Sequence, residues 1–352
     1  MRALRRGITA ITALVLTLLA TGCDARKEGK TVTDPFVMPA LATVCVGHHL
    51  IDLPEELQLR GEAVLYYGLT ADFTTVEVRV LQAKGPESAF SGFVEAESAR
   101  AAGRYSARTP NKNYLANQRE IGKFIHVIRV HKEPVMKSYY DVHVLARIGE
   151  AVGRFTATVY DDDKPEDIEA KVLAIVQKTS YMTNPTEQKK GTCIGPLVID
   201  AGQDGERFNL GTRGTKHTDL SLEFSINSLL AETDGGLLAR VDSKAAIIKK
   251  LGGNATILRR GKITIAGRPA EELADEDKGQ EETIRRHFAA ETLLSKPSTF
   301  AEPQIYVRMY LGGQIETGKN QFAYIDPSIN KKDSLALWDA IVKSIRPRGG
   351  AL

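Results

Sequence analysis

The residues in this 352-residue chain with chemistry to offer are Cys23, Cys45 and Cys193, seven histidines and a few clustered carboxylates. Cys23 ends a segment in which Arg2, Arg5 and Arg6 precede an apolar run from Ile8 to Ala20, followed by Thr21-Gly22. A basic start, a short apolar core and small residues before a cysteine mark an exported precursor and not a spanning helix, which needs about 20 apolar residues. The expectation is a signal peptide over 1–22, cleavage before Cys23 and a lipid on its thiol. Leu19 stands one position further from the cysteine than in the usual lipobox, and an ordinary secretory cleavage nearby is the alternative. Either way the mature chain works outside the cytoplasm. There, the two remaining thiols, Cys45 and Cys193, are most simply read as one disulfide, with two separately buried thiols as the other reading.

The histidines and carboxylates do not assemble into a motif. His48-His49 with Asp52 suggests a metal, but adjacent strand residues point to opposite faces and cannot easily chelate one ion, so a structural role is expected. His126 and His143 fall within strand patterns and should line a sheet face, while His131 follows in a polar turn. Asp161-Asp162-Asp163 reads as the start of a helix, with Asp163 as its cap. Asp275 to Glu282 reads as an exposed hairpin tip, and Gly211 to Lys216 as a polar turn with the wrong spacing for a phosphate loop. Gly-x-Ser-x-Gly, His-Glu-x-x-His and Gly-x-Gly-x-x-Gly are absent. No catalytic residue, metal or cofactor is expected. A dispersed hydrolase site stays open only where His48, His126, His143 or His217 converges with carboxylates in a pocket.

Charge narrows the partners. The full chain holds 47 basic and 44 acidic residues, and loss of residues 1–22 removes three arginines, leaving 44 against 44. A neutral mature chain without a basic stripe is not a nucleic-acid binder. Membrane contact is expected through the lipid anchor alone.

The elements that must position these residues occur twice. Cys45-Val46-Gly47-His48-His49-Leu50-Ile51-Asp52 matches Cys193-Ile194-Gly195-Pro196-Leu197-Val198-Ile199-Asp200 in the cysteine, the glycine two on, the aliphatic pair and the final aspartate. Amphipathic helices close both copies, one around Ile168, Val172 and Ala174-Ile175-Val176 behind Pro165, the other around Leu335, Trp338 and Ala340-Ile341-Val342 before Pro347. Between these ends, Val76, Val78 and Val80 alternate as a strand, and a helix with Phe90, Phe93, Val94 and Ala101 on one face follows. Strands over 124–130, 140–148 and 152–160 come next, the last two joined by Gly149-Glu150. The second copy shows Leu220, Leu222, Phe224 and Ile226, a helix near Ala245 to Leu251 ended by Gly252-Gly253, and strands near 262–265, 283–289 and 305–311. The fold class is α+β: two similar modules, each a mainly antiparallel sheet with two helices. The expected division is a tether over 23–40, modules over 41–181 and 191–348, and a linker over 182–190 containing Pro185.

The spaced motifs resemble a known family. Thr43-Val44-Cys45-Val46-Gly47 with Ile51-Asp52-Leu53-Pro54 resembles the opening of the N-terminal domain of the immunity proteins that neutralise type VI secretion lipase effectors, in the class acting on the fourth lipase group. Gly191-Thr192-Cys193-Ile194, Ile265 to Glu272, Leu335 to Ala340 and Ser344-Ile345-Arg346-Pro347 resemble its C-terminal domain. His48-His49 replaces an arginine and an aromatic residue of that pattern, and Pro196 interrupts the second opening. The resemblance implies a periplasmic protein whose two domains grip a cognate lipase and block the opening of its lid, with no catalysis of its own. A structural envelope lipoprotein without a toxin partner is the alternative.

Overall fold

Twice along the chain a similar succession of elements appears, the second time with one added strand, Gln321–Ile325, before the closing helix. The computed structural model describes residues 37–352 apart from 71, 104–112, 133–137, 161–162, 232–234, 251–254, 280–281 and 319–320. The signal segment, Cys23 and most of the tether lie outside the described residues. The first repeat runs β1 (Leu41–Gly47), β2 (His49–Pro54), β3 (Leu57–Tyr67), β4 (Thr74–Gln82), α1 (Ala89–Ala102), β5 (Leu115–Glu120), β6 (Ile125–His131), β7 (Tyr140–Ile148), β8 (Ala151–Val159), α2 (Pro165–Gln177) and β9 (Thr179–Tyr181). The second runs β10 (Thr192–Ile194), β11 (Leu197–Ile199), β12 (Gly205–Gly214), β13 (Ser221–Asn227), α3 (Leu237–Lys250), β14 (Thr256–Ile265), β15 (Arg268–Lys278), β16 (Ile284–Thr292), β17 (Gln304–Gly318), β18 (Gln321–Ile325), α4 (Lys331–Ser344) and β19 (Arg346–Pro347).

Turn chemistry explains the repeated Cys-x-Gly. Val46 pairs with His49 and Ile194 with Leu197, so Gly47-His48 and Gly195-Pro196 are two-residue hairpin connections. The leading glycines take φ of +61° and +56°, a region that costs a side chain but not glycine. Pro196 therefore occupies a turn position and interrupts no strand. His48 is likewise in the turn, not beside His49 in a strand.

Each repeat pairs its strands in the same order: β3-β4-β8-β7-β6-β5 in the first, β12-β13-β17-β16-β15-β14 in the second. The two sheets meet edge to edge. β3 and β12 pair antiparallel from Gly205 opposite Tyr66 to Gly214 opposite Leu57, so one sheet runs through both repeats. A second, smaller sheet has the order β19-β2-β1-β10-β11-β9, in which each repeat's last strand pairs with the other repeat's opening hairpin. Between β1 and β10, Gly47 lies opposite Cys193, and the structure joins Cys45 to Cys193 with Cα atoms 5.8 Å apart.

Strand alternation sorts the two faces of the large sheet. On the inner face, Val76, Val78, Phe155, Phe208, Phe224, Val307 and Phe288 share one core with α2, α4 and residues of the small sheet such as Ile51 and Leu197. Trp338 is its largest fully buried side chain and donates to Glu272 Oε2 at 3.1 Å. The outer face is covered only towards its ends. There α1 packs Phe90 and Ala101 against Ile128, Val130 and Leu145, and α3 carries Arg240, which pairs with Glu291. Phe36–Leu352 clusters as one unit. The 182–190 connection is held down: Met182 is buried, and Arg348 donates to the carbonyls of Glu187, Lys189 and Gly191.

Several local expectations change. Asp161 and Asp162 lie outside the described residues, and Asp163 does not cap α2. Lys164 is the boundary residue, and Asp163 instead accepts from Tyr160 N at 2.8 Å, closing the preceding turn. Asp275 to Lys278 is not a hairpin tip but the end of β15, whose Asp275, Glu276 and Asp277 lie opposite and pair with His287, Arg286 and Arg285 of β16. Matched cross-strand charges let so acidic a stretch stay in register. Gly211 to Gly214 belongs to β12. α3 begins earlier than expected, at Leu237, and Gly252-Gly253 lies outside the described residues. His131 ends β6 against Tyr140, and Pro347 lies in β19, beyond the end of α4 at Ser344.

Candidate partner-binding face

The singled-out histidines do not converge. His48 Nδ1 lies 2.9 Å from Glu206 Oε1, and Thr192 Oγ1 donates to the other carboxylate oxygen. Glu206 is 1% exposed and its backbone N–H donates to Ser228 Oγ at 2.8 Å, so this carboxylate ties the first repeat's turn to the second repeat's strands. His49 is buried beside it. Burial first, then the nearby His48 and Arg268, lower its pKa to about 4. His143 accepts or donates to Thr156 Oγ1 at 2.8 Å, and burial likewise brings its pKa to about 4. Burial also lowers His126 and His131. Among the described residues no group of three or more His, Cys, Asp or Glu could hold a metal ion.

One grouping resembles a hydrolytic triad and fails on geometry. His217 Nδ1 lies 2.9 Å from Ser328 Oγ, and His217 Nε2 lies 4.0 Å from Glu56. Ser328 Oγ, however, donates its one proton to Asp219 Oδ1 at 2.5 Å, and Asp219 also accepts the backbone N–H groups of Gly312 and Ser328 at 3.0 Å. A nucleophile needs its hydroxyl proton aimed at the base. Here it is aimed at a carboxylate that organises two loops.

What the fold does present is the middle of the outer face. Along β3 the outward residues are Gln58, Arg60, Glu62, Val64 and Tyr66; along β12 they are Arg213, Gly211, Asn209, Arg207 and Gly205. On the flanking strands Arg79 pairs with Glu62 and Glu77, Arg154 with Glu97, and Arg308 lies over Tyr306 with its carbon 4.5 Å from the ring centroid. Arg60, Arg207 and Arg213 are exposed and make no ion pair or side-chain hydrogen bond among the described residues. At one end of the seam Tyr66 lies against Phe73, which is 59% exposed, and Leu229 covers Gly205. On the first-repeat side a polar groove of about 850 Å³ opens between α1 and the sheet, lined by Glu77, Arg100, His143 and Arg154 among others and reaching Arg207. Exposed arginine and aromatic side chains on a rigid sheet are the composition of a protein-binding surface.

Fold and surface thus define a two-repeat α+β scaffold with a broad open face. Residues 185–350, the second repeat, match the family described as the Tle cognate immunity protein 4 C-terminal domain. Both repeats are similar in structure to the apo form of the immunity protein TplEi of the type VI secretion system from Pseudomonas aeruginosa, at 20% identity and a TM-score of 0.61, covering 89% of this chain and 98% of that one. They are also similar to a chain of the Tle4–Tli4 complex, at 20% identity and a TM-score of 0.62, covering 90% and 100%. TplEi complexed with "L" peptide aligns at 19% identity and a TM-score of 0.57 over 89% and 99%. No curated protein matches in sequence. The family match lies within residues 185–350, and across both repeats the likeness to these immunity proteins is one of fold.

Proposed function

We propose that this chain is a periplasmic lipoprotein immunity protein that binds a cognate type VI lipase effector and holds it inactive in a one-to-one complex. The match of residues 185–350 to the Tle cognate immunity protein 4 C-terminal domain carries this reading, and the similar fold across both repeats supports it. The repeats, assigned here to 41–181 and 191–348, act together on the lipase and oppose the opening of its lid. Because they share one sheet, the surface they offer is preorganised, which reduces the ordering cost of binding. The protein has no turnover of its own, and Cys23 carries the lipid that retains it at the envelope.

The test is to titrate the purified mature chain into the type VI lipase effector of the same strain and follow ester hydrolysis. Inhibition should saturate near one equivalent. The chain alone should release no product, and Ser328→Ala should inhibit as the wild type does. Hydrolysis by the chain alone that Ser328→Ala abolishes would establish the enzyme reading instead. For the anchor, a palmitate analogue should label the wild type and not Cys23→Ser; equal labelling of both removes the lipoprotein assignment.

A further inference from the structure

We propose that the β3–β12 seam is the docking strip for an extended, acidic segment of the partner that carries an apolar residue beyond its carboxylates. The partner's identity rests on the immunity reading; the segment's chemistry rests on the seam.

Charge is the first argument. The paired arginines of this face, Arg79 and Arg154, have their carboxylates beside them. Arg60, Arg207 and Arg213 form no ion pair among the described residues and remain exposed, because the carboxylates nearest in register, Glu62 and Glu223, are engaged by Arg79 and Arg308. A guanidinium presents a planar fork that fits a carboxylate with two parallel hydrogen bonds, so three free forks in one strip favour an acidic ligand.

Spacing is the second. Arg213 lies opposite Gln58, Arg60 opposite Gly211 and Arg207 opposite Val64, so the three follow one line across the pairing of the two strands. At about 3.4 Å per residue the line is roughly 20 Å long, the reach of an extended segment of about six or seven residues. Gly211 leaves a gap in the row beside Arg60: a Cβ there would meet only the Arg60 carbonyl oxygen, at 3.9 Å. Past Arg207 the strip ends at Tyr66, Phe73 and Leu229, where an apolar side chain would be covered.

Relief is the third, and it selects a protein segment over an anionic membrane. α1 packs near β5 and β6 and α3 near β15, both on this face and at opposite ends of the strand order. A helix layer stands about 10 Å above the sheet it covers, so a flat bilayer would meet the helices before the seam. A strand or loop fits between them.

The experiment uses the full mature chain carrying Arg60→Glu, Arg207→Glu and Arg213→Glu together. All three side chains are exposed, so the melting temperature should stay at the wild-type value, which serves as the folding control. Calorimetric affinity for the type VI lipase effector of the same strain should fall by about 100-fold, and its salt dependence should flatten. Phe73→Ala alone should cost about tenfold. Wild-type affinity in the triple variant overturns the proposal. So does a triple variant that keeps its lipase affinity while losing co-sedimentation with phosphatidylglycerol vesicles, because the seam would then be a lipid face. If the wild type does not bind the lipase, the immunity reading falls. A synthetic hexaglutamate peptide ending in tryptophan then judges the seam by itself: binding by the wild type and not by the triple variant supports acidic docking, and no binding by either overturns it.

Discussion

The fold holds two imidazoles neutral, and this makes its stability depend on pH in a window that overlaps carboxylate titration only towards its acid end. His49 is 3% exposed, with an Nδ1 that has no hydrogen-bond partner among the described residues. Burial first, then His48 and Arg268, lower it to about 4. His143 also falls to about 4, chiefly by burial, with Arg154 and Arg100 adding to the effect and Asp141 and Glu97 opposing it. An unfolded histidine titrates near 6.5, so between about pH 6.5 and 4 the unfolded chain binds protons that the folded chain refuses. Stability is therefore complete above about pH 6.5 and is lost as pH falls. By linkage each ring removes about 2 kcal/mol at pH 5 relative to pH 7.5, and the pair removes about 4 kcal/mol. Urea unfolding at constant ionic strength between pH 7.5 and 5 measures this directly. His49→Leu, an apolar side chain of similar size, should leave the pH 7.5 value within about 1.5 kcal/mol and roughly halve the loss at pH 5. Parallel wild-type and His49→Leu curves would refute the assignment of the slope to this ring, and a flat wild-type curve would refute the argument altogether.

Three further outcomes are expected. Unreduced peptide mapping of periplasm-derived protein should recover Cys45 linked to Cys193; because the bond closes a loop of 148 residues in sequence, Cys45→Ser with Cys193→Ser should cost about 2 to 4 kcal/mol in urea unfolding. Two free thiols in the wild type would remove the bridge. Glu206→Ala strands His48 and Thr192 in the interior and should cost about 3 to 5 kcal/mol, whereas a loss below 1 kcal/mol would show that the buried carboxylate does not join the repeats. Truncation after residue 190 bares the full β3 edge and strips the inner core of Phe208, Phe224 and Trp338, so the first repeat alone should elute as aggregate in gel filtration and not as a stable monomer.

Much of the fold was legible because its signals are local. Val76, Val78 and Val80 alternate, Phe90 to Ala101 has one apolar face, and Cys-x-Gly marks each opening hairpin; all three emerge as elements at those residues. The glycine was the informative letter of that motif, since it supplies the left-handed turn residue in both copies. β15 was hidden by its own composition. Asp275-Glu276-Asp277 reads as a loop until Arg285-Arg286-His287 is placed opposite, and that pairing is a property of two segments and not of either one. The union of the two repeats was hidden for the same reason. A repeat announces two modules, but only the edge-to-edge pairing of Leu57–Tyr67 with Gly205–Gly214 makes them one sheet.

The binding face lay deeper still. Arg60, Arg207 and Arg213 are scattered in sequence, and each taken singly looks like any solubilising arginine on a strand. They become a strip only through the register that sets Arg60 opposite Gly211 and Arg213 opposite Gln58. A catalytic centre can reveal itself by residue type, because few side chains abstract a proton or hold a metal. A recognition surface uses the commonest exposed residues and differs from ordinary surface only in what they lack: ion-pair partners of their own and a covering layer. The histidines that drew attention first illustrate the converse. His48, His49 and His143 are rare, clustered or regularly placed, and the structure uses them in the interior, where His48 meets Glu206 and His143 meets Thr156. In a protein of this kind, residue chemistry read one position at a time points to the parts that hold the repeats together. The surface that meets the partner follows from the joining of the repeats.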